Sequence, residues 1–161
     1  MTSADGSTSA CWTALWPPSS PRWKEGEGRL PLSRLARRPW RRLHKYVEAL
    51  DDEPADAELH RIRSLAKRAR YAADACVPAV GNAAAESAAL LAALQTVLGE
   101  HHDAVVTRDW LQRQAGVIAS ISFVAGEMAA LELGHIGVAA KRWRVEWGSA
   151  SRSGNWRWLR S

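Results

Sequence analysis

Four side chains able to hold an anion recur at helical spacing in the stretch LHRIRSLAKRARYAADA, residues 59–75. They are His60, Arg63, Lys67 and Arg70. At 100° per residue, with His60 at the origin, they share an arc of about 80°, and Tyr71 falls beside them. Arginine and lysine bind phosphate through charge-assisted hydrogen bonds, arginine in a bidentate fork. A row rising about 5.4 Å per turn could follow a chain of phosphates. Leu65, Ala66, Ala69, Ala72, Ala73 and Cys76 occupy the opposite side, so the helix has one packing face and one cationic face. Arg61 and Arg68 point away from both and read as solvated charges. Like charges at i, i+3 and i, i+4 cost a helix a few tenths of a kcal/mol per pair. Only Asp74, four residues after Arg70, stands ready to neutralise the row.

A second cationic row precedes it. RRPWRRLHKYVEAL, residues 37–50, places Arg38, Arg41, Arg42 and Lys45 on one helical face, with Leu43, Val47 and Leu50 roughly opposite. Residues 29–50 carry seven basic and one acidic residue, 51–140 seven and twelve, and 141–161 six and one. The net charge of +5 is therefore concentrated, and a polyanionic partner is expected: nucleic acid, polyphosphate or an acidic membrane.

Other chemistries find less support. His101 lies in the apolar stripe of its helix, between Leu94, Leu98 and Val105, with His102 at the edge. It reads either as a core histidine with a hydrogen-bond partner or as a donor to the same anion. EHHD, residues 100–103, has metal-ligand types, but adjacent helical residues diverge by 100° and no ExxH or HExxH pair occurs, so no metal site and no cofactor is expected. GxSxG and phosphate-cradling glycine loops are absent, and neither Cys11 nor Cys76 has a motif around it, so no catalysis is expected.

The elements that must position these residues read as helices throughout. One runs from about Leu32 or Pro39 to Leu50, with Pro39 suited to a first turn. Residues 51–58, DDEPADAE, form a link whose acids suit a helix start. The second runs to Cys76 or Val77, stopped by Pro78 and Gly81. A third spans Ala83 to Gln114, a fourth Gly116 to Leu133, and a fifth Val138 to Trp147. The spacing predicts an all-α, antiparallel bundle of about four helices over 31–147, after an irregular head at 1–30 and before a basic, Trp-rich tail at 148–161. Nine tryptophans gather near the two ends, apart from Trp110. No apolar run reaches transmembrane length: VIASISFVAG, 117–126, ends at Glu127. With two distant cysteines and no secretory pattern at the front, the expected setting is a reducing cytoplasm without a membrane.

The blocks HRIRSLAKRARY (60–71) and LQTVLGEHHDAVV (94–106) resemble the CHAD family of histidine-bearing helical domains. The pattern H-x-x-R-x-x-x-K-R-x-R-Y matches at His60, Arg63, Lys67, Arg68, Arg70 and Tyr71, and L-G-x-x-x-D at Leu98, Gly99 and Asp103. RRPWRRL, 37–43, looks like the helix that opens the second half of such domains. The resemblance covers about residues 35–145 and implies a bundle of two similar halves with a basic groove that binds inorganic polyphosphate. Carried over, His60, Arg63, Lys67 and Arg70 would contact phosphate. Only one copy of the pattern is present, so this chain corresponds to half of the two-bundle architecture. A second chain completing the groove, and residence beside polyphosphate granules, follow as expectations. The alternatives are a nucleic-acid-binding helical protein, which the charge permits but no reading helix supports, and a truncated fragment without function.

Overall fold

The computed structural model of the protein describes residues 32–117 and 119–160. Four long helices make the bundle: α1, Leu32–Glu48; α2, Asp56–Val80; α3, Asn82–Val117; and α4, Ser122–Ala150. A 3₁₀ turn, Ala119–Ile121, leads into α4, and a 3₁₀ helix, Ser153–Arg160, follows it. Among the described residues there is no strand, as the helical periodicity demands. The expected head, residues 1–30, lies outside the described residues.

Each helix forms because its apolar residues recur on one stripe. In α1 these are Ala36, Trp40, Leu43 and Val47, all buried, with Leu50 packed against them beyond its end. Pro39 lies inside α1 rather than in its first turn. It forgoes the bond to the Leu35 carbonyl, and the buried stripe carries the helix through. In α2 the buried set is Leu59, Ile62, Leu65, Ala66, Ala69, Ala73 and Cys76. Asp56 and Glu58 stand in its first turn, and the Glu58 carboxylate accepts the Ala55 N–H at 2.8 Å. Burial pushes the Cys76 thiol pKa up, which suits an inert core residue.

Two expected boundaries move. Pro78 does not stop α2, which runs on to Val80. Pro78 gives up its own N–H bond and crowds the Asp74 carbonyl, yet the helix continues for a further two residues and closes at Gly81, whose N–H donates to the Val77 carbonyl at 2.8 Å. Gly81 has φ +77° and ψ −145°, a region open almost only to glycine. The expected fourth and fifth helices are one helix, and α3 extends to Val117. Gly134 and Gly137 weaken a helix by about 1 kcal/mol each without breaking it.

One core joins α1, α2, the first half of α3 and the second half of α4, with Trp143, Leu43, Ile62, Leu91 and Leu94 almost wholly enclosed. Residues 148–160, set apart in sequence as a tail, pack into that core. Trp156, Trp158 and Leu159 are buried. Trp156 stacks on Trp40 with centroids 3.7 Å apart, and its indole N–H donates to the Ala150 carbonyl at 2.7 Å. The Trp158 indole donates to Ser87 Oγ at 2.9 Å. Burying an indole requires such a partner, and both tryptophans have one. Arg144 fastens the α1–α2 link by donating to the carbonyls of Asp51 (2.8 Å) and Asp52 (2.6 Å).

Beyond this core, the end of α3 and the start of α4 continue as a two-helix arm. Among the described residues its own cluster is Leu111, Ala125 and Ala129, with Ala115 against it. Phe123, Val124, Met128, Leu131 and Leu133 of the arm stay exposed. A sequence scan for uninterrupted apolar runs passes over α4 because Glu127 and Glu132 divide it. Yet an 18-residue window of α4 reaches a mean hydropathy of 1.3, so by length and composition this helix could cross a membrane.

Candidate functional site

The cationic rows of α1 and α2 end on the outward side of the bundle, because the stripes that interleave with them turn inward. Along the seam between α2 and α3, the Arg63 guanidinium passes over Gly99. Its Nε lies 3.7 Å from where a Cβ would stand, and Nη2 lies 3.9 Å away. One turn away the rings of His60 and His102 meet, with centroids 4.7 Å apart. Arg70 Nε and Gln95 Nε2 are buried donors without an acceptor among the described residues. A buried donor left unpaired costs about 1–3 kcal/mol, a cost the core beneath the seam must offset. Arg70 lies over the Tyr71 ring, 4.9 Å from its centroid, and reaches Asp74 only at 4.0 Å.

The expected row on α1 divides. Arg38 and Arg42 line a cleft of about 220 Å³ between α1 and α2, together with Arg68. Arg41 and Lys45 open to the other flank, into a cleft of about 550 Å³ shared with Arg37, His44 and Arg160 and floored by Trp40, Trp156 and Leu159. The cause is the position of the α1 stripe. α2 packs along one side of it and the terminal 3₁₀ helix along the other, so an arc of charges about 100° wide straddles the ridge between. Arg68, read from sequence as a solvated charge, faces Arg38 and Arg42 across a cleft.

His101 is set apart from this surface. It is 3 % exposed, with Nε2 3.3 Å from Asp56 Oδ1. Burial lowers its pKa, opposed by the Asp56 carboxylate and reinforced by His102 and Arg108. The ring ties α3 to the first turn of α2, and its neighbour His102 is the one that stands with His60.

Charge pairing distinguishes the two sides of the molecule. On α3 and α4, Arg108 meets Asp109 at 2.8 Å, Arg142 meets Glu100 at 3.1 Å, and Arg144 approaches Asp52 at 4.0 Å. On α1 and α2, Arg70 is the only cation within 4.0 Å of a carboxylate among the described residues. Among those residues, no three His, Cys, Asp or Glu side chains gather to hold a metal ion.

Sequence reasoning missed Arg37, Arg68, His102 and Arg160 as members of this surface. Arg68 stood in the H-x-x-R-x-x-x-K-R-x-R-Y pattern, and Arg37 adjoins Arg41 on the wheel, so both were signalled. Arg160 joins only because the terminal helix folds back onto α1, which no local spacing announces.

No curated protein and no solved structure matches the chain. The CHAD domain family matches residues 11–112, beginning within the expected head and ending in α3. α4 and the terminal helix thus lie outside the matched segment, while both cationic rows and the His60–His102 pair lie inside it. With that match over more than half its length, the chain belongs to the CHAD domain family.

Proposed function

We propose that this protein binds inorganic polyphosphate on the outward face of α1 and α2, and that it acts as a binding module without catalysis. The observation that carries the reading is the unpaired charge: among the described residues, every arginine and lysine of α1 and α2 but Arg70 lacks a carboxylate within 4.0 Å, while Arg108, Arg142 and Arg144 of α3 and α4 have one and Arg113 and Lys141 do not. Uncompensated like charges along a helix cost stability, so their retention fits an external polyanion that offsets the repulsion when bound. His60, Arg63, Lys67, Arg70 and His102 form one run of donors along the α2–α3 seam. Arg38, Arg42 and Arg68 form a second, and Arg41 and Lys45 with Arg37 and Arg160 a third. A flexible phosphate chain can engage several such runs in sequence, each adding charge-assisted bonds. Membership of the CHAD family, whose domains are associated with polyphosphate, supports the same reading. The cytoplasm, where polyphosphate granules form, is the setting this function implies.

The test is a titration of the full chain with long-chain polyphosphate at two salt concentrations. Single-stranded and duplex DNA, matched in phosphate, serve as competitors. Binding that weakens with salt yet resists DNA is the expected result. Equal displacement by all three polyanions would reduce the surface to a general basic patch and favour a nucleic-acid partner.

A further inference from the structure

The outward face of α4 carries large apolar side chains that stay exposed among the described residues: Phe123 is 74 % exposed, Leu131 67 %, Val138 58 % and Val145 68 %. Of the most apolar 18-residue window of this helix, 17 % is buried. Gly126, Gly134 and Gly137 have no neighbouring atom within 4 Å of where a Cβ would project, so no contact among the described residues requires a glycine there. At 100° per residue, Phe123, Glu127, Leu131, Gly134, Val138, Lys141 and Val145 share an arc of about 80°.

This stripe is symmetric about Gly134. Glu127 stands seven residues before it and Lys141 seven after; Phe123 stands eleven before and Val145 eleven after; Ala130 and Val138 stand four to either side. We infer that α4 is the homodimerisation helix, pairing antiparallel with α4 of a second copy and crossing it at Gly134. Glu127 of each copy then lies beside Lys141 of the other, and the pairing occurs twice, as an isologous interface requires. Neither residue has an ion-pair partner within its own chain among the described residues. Phe123 meets Val145, Ala130 meets Val138, and glycine at the crossing lets the two helices approach closely.

A bilayer is another medium that could cover an apolar helix. It would strand Glu127 in hydrocarbon without its cation, where an intramembrane carboxylate is expensive. A second copy supplies the cation. The inference is independent of polyphosphate, since the stripe lies outside the cationic surface and outside the family match.

Sedimentation velocity of the full chain over a range of concentrations tests it. The expected result is a monomer–dimer equilibrium that Leu131→Asp shifts to monomer with helicity retained. Glu127→Lys should raise the dimer dissociation constant about 10-fold or more by setting like charges opposite each other. Adding Lys141→Glu to that variant should restore the dimer, a rescue that only this antiparallel register provides. The proposal is overturned if the wild-type chain is monomeric throughout, if Leu131→Asp leaves the dimer intact, or if the double charge swap fails to restore it. Flotation of a monomeric chain with phosphatidylcholine vesicles would assign α4 to a membrane instead.

Discussion

The bundle proper and the α3–α4 arm are built from the same helices but solve different problems. In the bundle, four helices and the terminal 3₁₀ helix enclose a core around Trp40, Trp143 and Trp156, and the outside is cationic. In the arm, two helices share a small cluster of Leu111, Ala125 and Ala129 among the described residues, and the outside carries exposed apolar side chains. The difference shows where stability resides. Charged repulsion on α1 and α2 is tolerable because a large core lies directly beneath it. Among the described residues the arm has no comparable core, and its Leu131 and Phe123 stay exposed.

The largest effect expected is in the bundle. Trp156→Ala removes a stacked, hydrogen-bonded indole and should cost about 3–5 kcal/mol in urea unfolding. Leu111→Ala in the arm should cost less, about 2 kcal/mol, with faster amide exchange confined to the arm. Equal losses would erase the distinction between the two regions.

Next is binding. Replacing Arg63, Lys67 and Arg70 together with glutamine removes three phosphate donors, each worth about 1.5–3 kcal/mol. Polyphosphate affinity should fall at least about 100-fold by isothermal titration, while circular dichroism stays unchanged. Replacing Arg108, Arg113 and Arg142 removes the same charge and should lower affinity only slightly. Parallel losses would show that net charge, not position, governs binding.

Gly81→Ala forces an L side chain into a conformation with φ +77° at the α2–α3 turn. The expected loss is about 1 kcal/mol, read as a lower urea midpoint at unchanged slope.

The smallest effect is pH-dependent. The folded-state pKa of His101 is lowered by burial, so the unfolded chain binds its proton first as pH falls. Stability should therefore decline with acid from about the ordinary histidine value of 6.5 down to the lowered folded value, and level off below it. His101→Gln should flatten that part of the curve. A melting temperature that rises with acid across the same window would contradict the assignment.

Much of this was legible in the sequence because it depends on local period. The burial of Ile62, Leu65, Ala69 and Cys76 against the exposure of His60 and Lys67 follows from 3.6 residues per turn. What escaped depends on packing between distant segments. His101 and His102 are adjacent in sequence, and only the position of α2 decides that one meets Asp56 and the other His60. The split of Arg38 and Arg42 from Arg41 and Lys45 required knowing that the terminal helix returns to α1. The continuity of α4 was hidden by Gly134 and Gly137, whose helix penalty is small beside the long apolar stripe they interrupt.

The central claim, that the uncompensated cations of α1 and α2 form the binding surface, is tested most directly by mapping. In ¹H–¹⁵N spectra tuned to arginine side chains, polyphosphate should shift the Nε–Hε signals of Arg38, Arg42, Arg63, Arg68 and Arg70 and leave those of Arg108, Arg142 and Arg144 in place. Comparable shifts on both sides of the molecule, or shifts confined to α3 and α4, would contradict it.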